Sequence, residues 1–483
     1  MLLGFVFLYL LISIGIGVYA ATKVKNSRDY VVAGRSLPLY IVMATVFATW
    51  FGSETVLGIS ATFLEEGLHG IVADPFGSSM CLILVGLLFA RPLYRMKLLT
   101  IGDYYRRRYN RVVEVGTSLC IILSYMGWVS AQMTALGLVF NILSGGVVDS
   151  NTGIMIGAAI VLLYTLFGGM WSVALTDFFQ MSIIIVGLGY IAWLVGDMAG
   201  GPAVVIQHAA EHGKFNLLPE LNARDIVAFI AAWVTMMFGS IPQQDVFQRV
   251  MSAKDEKTAV RGSVLGGSFY FLFAFIPIFI AYSAFLVMPE MVDTLLKEDS
   301  QLILPTLILN HTPLLAQVLF FGALLSAIMS TASGTILAPS ATFTENILKV
   351  FITFRNDKQQ LWTMRAVVVA FTCGIVLFAL NSQMSIYSMV ENAYQVTLVA
   401  AFVPLAAGVY WRPATTQGAL LAMFLGITTW LGLEYLNPEG FWPPQFAGLL
   451  MSILGMVLGS LSPVQLVHRG HHEPHKHHVE VAA

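Results

Sequence analysis

Apolar stretches of about 20 residues recur along this chain from Met1 to the 460s, and nothing else in the sequence constrains its fold so tightly. Each is long enough to cross about 30 Å of hydrocarbon as a helix. One such run could be a cleaved leader; a long series cannot. Of the 483 residues 57% are hydrophobic and only 11% charged, where a soluble domain carries roughly a quarter. The mean hydropathy is +0.78. In lipid every backbone polar group must find its partner within the chain, which a helix achieves by itself. The expected fold class is therefore all-α, a polytopic membrane protein.

Lys and Arg fall almost entirely in six short segments: Lys23 to Arg35, Arg91 to Arg111, Arg249 to Arg261, Lys349 to Arg365, Arg412, and the C-terminal tail. The positive-inside rule makes these loops cytoplasmic. Counting apolar runs between them gives thirteen spans: 1–22, 39–63, 72–90, 112–143, 153–170, 176–199, 223–243, 261–288, 313–343, 362–381, 388–410, 418–436 and 444–463. The N-terminus is then outside and the C-terminus cytoplasmic, in a cell (inner) membrane. A single transmembrane domain is expected over 1–467. Residues 468–483 form a His-rich polar tail, expected to be disordered; such a tract could also bind metal. The longest loops, Pro202 to Asn222 and Pro289 to Thr312, are external and should each hold a short surface helix. Cys81, Cys120 and Cys373 all lie in spans and read as small buried apolar residues.

Two spans are interrupted. In the second, Gly52, Ser53 and Glu54 sit mid-way through an apolar run. An ionisable group at that depth is costly and should face a protein-lined cavity. Five spans later Gly239, Ser240 and Pro242 interrupt another run, followed by Gln243, Gln244 and Asp245. Proline removes a backbone donor and glycine loosens the turn, so both helices can break there. Breaks at matching places in two five-span halves are the sequence pointer to an inverted-repeat transporter. A third patch, Ser326 to Thr335 in the ninth span, is rich in hydroxyls. Sodium binds hydroxyls and freed carbonyls, so Ser330 and Thr331 with carbonyls near Ala48 could cage it. Small-residue helix packing would produce the same run.

Several motifs resemble the sodium:solute symporter family, in the right order and across nearly the whole chain. These are Asp29 to Pro38, Leu163 to Gln180 with its Gly-Gly pair and Thr-Asp, Phe247 to Asp255, Ser326 to Gly334, and Asn392 to Ala419. The resemblance implies a leucine-transporter-type inverted repeat, a five-plus-five core with one extra N-terminal helix. It also implies a sodium-coupled symporter importing a small polar or cationic organic solute by alternating access. Carried over, the sodium site falls on Ala48, Phe51 and Ala327 through main-chain oxygens and on Ser330 and Thr331 through hydroxyls. Asp177, with Ser333 near it, matches a position that some members use for a second sodium or for coupling; a structural acid capping its loop is the other reading.

Among branches the likeness is nearest to the choline transporters. A quaternary ammonium needs an aromatic cage, and here only Trp128 matches one; Ser78, Met43 and Gln243 stand where other cage aromatics are expected. What the site offers instead is carboxylates, Glu54, Asp74 and Asp245, with Gln243 and Gln244 beside them and Trp50 either stacking on a solute or simply packing. The expected partners are a small-molecule solute and the lipid bilayer, with sodium as coupling ion and no nucleic acid. No nucleophile–base pair or metal-ligand set lies within the spans, and no HExxH, GxSxG or P-loop pattern occurs, so no enzyme is expected. A proton-coupled symporter of the same fold, or a transporter-like sensor, are the alternatives.

Overall fold

The computed structural model describes residues 2–382 and 386–463; the His-rich tail lies outside them. Among the described residues there are helices and no strands, with one isolated bridge between Leu37 and Ala253. That bridge joins the residue before the second span to the end of the seventh, through Leu37 N to Ser252 O and Lys254 N to Leu37 O (both 3.0 Å).

By length and composition nine described helices can cross a membrane, or ten if the pair Ala223–Gly239 and Gln244–Met251, bent by 49°, is one span. The difference from the expected thirteen lies in where helices run on. Glu54–Arg95 holds the end of the second expected span and all of the third, and Ser150–Met198 holds the fifth and sixth. The eleventh is divided into Ile386–Ala393 and the shorter apolar run Gln395–Tyr410. A straight helix of 49 residues would be about 74 Å long, far beyond the bilayer. Gly169 (φ 50°, ψ −137°) divides it, and Gly67 (φ 72°, ψ −155°) does the same between the second and third spans.

Large apolar side chains remain on the outer faces of the spans, among them Phe7, Leu123, Val186, Trp193, Leu272 and Phe424. Their spread along many helices suits contact with lipid. Cys81 and Cys120 are buried as expected, whereas Cys373 is exposed on its helix. The two longest loops carry the helices Pro202–Glu211 and Pro289–Glu298, as expected. Lys214 docks the first loop onto the second span by donating to the carbonyls of Leu64 (2.6 Å) and Glu65 (3.0 Å), and burial there lowers its pKa.

At the opposite end Glu256 pairs with Arg91 (3.0 Å) and Arg95 (2.8 Å), whose side chains are each 63% exposed. Solvent-exposed pairs contribute little. Glu256→Gln is therefore expected to change stability by less than about 1 kcal/mol, read as an unchanged melting temperature of the purified protein. A large drop would mean that this pair clamps the loop.

Candidate functional site

The second span starts as helix Leu39–Phe47 and resumes at the π-helical turn Glu54–Gly58. Between them the chain is unwound and fully buried, from Ala48 to Gly52. Unwound backbone is tolerated at such depth only where other groups take its carbonyls. Thr55 Oγ1 donates to Trp50 O (2.9 Å), and Gly52 N reaches the same oxygen (2.7 Å). The Ala48 carbonyl accepts from Ser330 Oγ (3.4 Å) and Thr331 Oγ1 (3.5 Å) of the ninth span, helix Leu314–Thr342. Three of the five residues assigned to sodium thus meet. Phe51 lies in the same unwound stretch, its ring on Phe47 (4.9 Å), and Ala327 is buried one turn before Ser330.

Gly52 sits where this oxygen cluster meets an acidic pocket. A Cβ there would lie 2.7 Å from Glu54 Oε2, 2.8 Å from Thr331 Oγ1 and 2.9 Å from Gln132 Oε1. Any other residue would push apart groups from both sites.

Glu54 is held by Trp128 Nε1 (3.2 Å) and Gln132 Nε2 (2.7 Å). Asp74, at the start of the third span, accepts from Tyr270 OH (2.6 Å), from Ser78 Oγ, and from Thr55 Oγ1 at 3.5 Å. Both carboxylates line one narrow cavity of ≈ 20 Å³, with Thr235, Met236, Val390 and Tyr394. Beside it Trp50, Trp128 and Tyr394 form a buried aromatic box, with ring centroids 5.5–6.4 Å apart, and Tyr125 stacks on Trp128 at 5.9 Å. Trp50 Nε1 and Tyr394 OH are buried without a hydrogen-bond partner among the described residues. Trp50 packs on Trp128 and Tyr394, of which Tyr394 lines the cavity.

The seventh span breaks after Gly239, whose carbonyl accepts from Thr397 Oγ1 (2.7 Å). Gln243 Nε2 donates to Ser124 Oγ (3.0 Å), tying the break to the fourth span, Arg111–Leu143. Gln244 is engaged elsewhere: its Oε1 accepts from Ile101 N (2.8 Å), at the start of helix Ile101–Arg108. Asp245 Oδ1 accepts from Tyr125 OH (2.5 Å), and its Oδ2 lies 3.5 Å from Arg249 Nη1.

Arg249 corrects the charge reading. Grouped with its basic neighbours it reads as part of a cytoplasmic loop, yet it is 0% exposed and the one buried Lys or Arg among the described residues. Its Nε lies 3.7 Å from Asp177 Oδ2 and 3.3 Å from Thr45 Oγ1. Asp177 also accepts from Thr45 Oγ1 (2.5 Å) and Ser330 Oγ (2.7 Å). Ser333 instead turns its hydroxyl onto the Ser330 carbonyl (3.0 Å). Asp177 and Asp245 thus share one guanidinium, and Ser330 touches both Asp177 and the Ala48 carbonyl. Sequence reasoning missed Arg249, Gln132, Tyr125 and Tyr394. Arg249 follows Asp245 at i+4, and Tyr125, Trp128 and Gln132 repeat at i, i+3 and i+7, one face of a helix.

The chain's resemblances can be set against this geometry. The model of the sodium:solute symporter family matches residues 30–426. The chain is 29% identical over 477 residues to the high affinity choline transporter 1 of Homo sapiens, covering 92% of this chain and 79% of that protein. It is 26% identical over 469 residues to the sodium/pantothenate symporter of Escherichia coli (strain K12), covering 94% of each. Among solved structures, an outward-open, substrate-bound Na+-coupled sialic acid symporter superimposes with a TM-score of 0.84 at 18% identity, covering 96% of this chain and 98% of that one. A closed nucleobase-cation-symport-1 family transporter gives 0.61 at 15% identity, covering 89% and 94%. These likenesses show the leucine-transporter-type fold expected from the motifs.

Proposed function

We propose that this chain, which belongs to the sodium:solute symporter family, imports a small amine-bearing organic cation together with sodium by alternating access. The observation that carries this reading is the convergence of Ser330 and Thr331 on the Ala48 carbonyl, at the edge of a pocket holding Glu54, Asp74 and an aromatic box. Hydroxyls and a freed carbonyl offer sodium its oxygens without burying a full charge. Carboxylates and ring faces suit a cation. Sodium at Ala48, Phe51, Ala327, Ser330 and Thr331 would hold the broken second span against the ninth. Because Gly52 leaves Thr331 and Glu54 in reach of one another, that closure would also shape the solute pocket. The pocket's ≈ 20 Å³ is scarcely more than one water needs, so solute entry requires the surrounding spans to part.

The orientation is proposed from the basic loops: N-terminus outside and C-terminus cytoplasmic, in the inner membrane, with 1–467 as one transport domain. Each sodium crossing about 100 mV supplies roughly 2.3 kcal/mol, and a tenfold gradient adds about 1.4 kcal/mol. Their sum supports roughly a 500-fold solute gradient per sodium. A cationic solute adds the drive on its own charge.

The test is uptake into proteoliposomes against sodium concentration. Ser330→Ala and Thr331→Ala should each raise the half-saturating sodium concentration by about 10–100-fold, the worth of one hydrogen-bonding group on a charge, with membrane abundance unchanged. Superimposable sodium curves would remove sodium from this cluster. Uptake driven equally by a proton gradient without sodium would favour the proton-coupled alternative.

A further inference from the structure

The buried charges of the core do not balance, and the imbalance bears on the solute. Four carboxylates, Glu54, Asp74, Asp177 and Asp245, are buried in the transport core, and Arg249 is the one buried base among the described residues. The fifth buried acid, Glu114, is paired with Arg111 at 2.8 Å. Arg249 serves Asp177 and Asp245 together, at 3.7 and 3.5 Å. Glu54 and Asp74 have only neutral donors, an indole N–H, an amide and hydroxyls. Such donors hold a carboxylate in place without cancelling its charge. Uncompensated charge in a closed, membrane-buried cavity is costly.

We propose that the solute carries two ammonium groups, one for Glu54 and one for Asp74, joined by an apolar linker; it is a linear diamine. This rests on the reading that the chain imports an organic cation with sodium. With one sodium at the Ser330 cluster, a dication brings the core to neutrality, whereas a monocation leaves one carboxylate unanswered. The two acids line the same cavity from the second and third spans, so one molecule can reach both. Tyr394 lines the same cavity, and its buried hydroxyl has no hydrogen-bond partner among the described residues, which leaves it an acceptor for an ammonium N–H. The Trp50, Trp128 and Tyr394 rings beside the cavity, with Met236 and Val390, suit a methylene chain flanked by cationic ends. A quaternary ammonium has no N–H to give these acceptors.

The experiment measures binding to the purified full-length protein in sodium and in potassium. The probes are linear diamines from diaminopropane to diaminohexane, the monoamines of matching length, and choline. In sodium the best diamine should bind about 10–100-fold more tightly than its monoamine, the worth of one charge-assisted contact. Glu54→Gln and Asp74→Asn should each shrink that gap to within a few-fold. Their sodium-induced thermal stabilisation, which reads the intact Ser330 cluster, should persist and show that both variants fold. A monoamine or choline binding as tightly as any diamine, still in a sodium-dependent way, would overturn the dication and leave organic-cation import standing. A diamine preference surviving both substitutions would overturn the assignment to Glu54 and Asp74. Failure of every cation to bind in sodium would bring down the proposed function itself.

Discussion

Replacing Arg249 with methionine should abolish solute accumulation and destabilise the folded protein by about 3–5 kcal/mol, the cost of breaking a buried ion pair from one side. Arg249 lies between Asp177 and Asp245 and is wholly enclosed. Its space is made by Gly334, where a Cβ would fall 2.2 Å from a guanidinium nitrogen. Methionine keeps the bulk and removes the charge, so both carboxylates lose their shared partner. Lysine should rescue only in part, because a single ammonium cannot reproduce the planar fork that spans both acids. The effect on transport has a second origin. Asp177 positions Ser330, which touches the Ala48 carbonyl, while Asp245 bonds Tyr125, which stacks on Trp128 beside Glu54. Arg249 therefore joins the ion cluster to the solute pocket.

A triple variant separates the two origins. With Asp177→Asn and Asp245→Asn added to Arg249→Met, no buried charge of this triad is left unpaired, and stability should largely return. Sodium-driven uptake should stay absent, because the link between Ser330 and Tyr125 is gone. Melting temperature and proteoliposome uptake check the two statements. Full uptake in the single variant would show that the triad is packing only.

What could be read from the sequence follows from how far each signal travels. Glu54 after Gly52, and Pro242 after Gly239, interrupt apolar runs locally, so both breaks were legible residue by residue. The hydroxyl patch at Ser330 and Thr331 was legible too, although its meeting with Ala48 required the fold. Arg249 was not, because charge counting along a chain assigns a residue by its neighbours, and Lys254 and Lys257 follow it in the bend and the first turn of the next helix. Its burial depends on Asp177, which is 72 residues away, and on a glycine in the ninth span. The aromatic box was legible in part: Trp128 and Trp50 stand out in the sequence, whereas Tyr394, from a third span, joins them only in the fold, and Ser78, Met43 and Gln243 hold no rings. Gln244 shows the converse, a polar residue beside a break whose side chain is taken by the backbone of Ile101.

Gly169→Ala should prevent the protein from accumulating in the membrane. The family-like motif holds two adjacent glycines, and the second has φ 50° and ψ −137°, a conformation that L side chains rarely adopt. A Cβ there would also lie 2.4 Å from the Tyr30 carbonyl oxygen and 2.5 Å from its ring. Tyr30 cannot easily yield: it is 0% exposed, and its hydroxyl donates to Leu166 O at 3.0 Å. Backbone strain and overpacking each cost about 1–3 kcal/mol, and here they fall on one atom. The same helix supplies a control. Gly189 has nothing within 4 Å of an added Cβ, so Gly189→Ala should fold normally and gain up to about 1 kcal/mol of helix propensity. Membrane abundance and the monodispersity of detergent-solubilised protein read both substitutions. If Gly169→Ala accumulated and melted like Gly189→Ala, the break would not depend on this glycine, and the division of Ser150–Met198 into two spans would need another cause. If it is lost while Gly189→Ala survives, the second glycine of the pair is a backbone requirement of the fold, and its place in the motif owes nothing to solute or sodium.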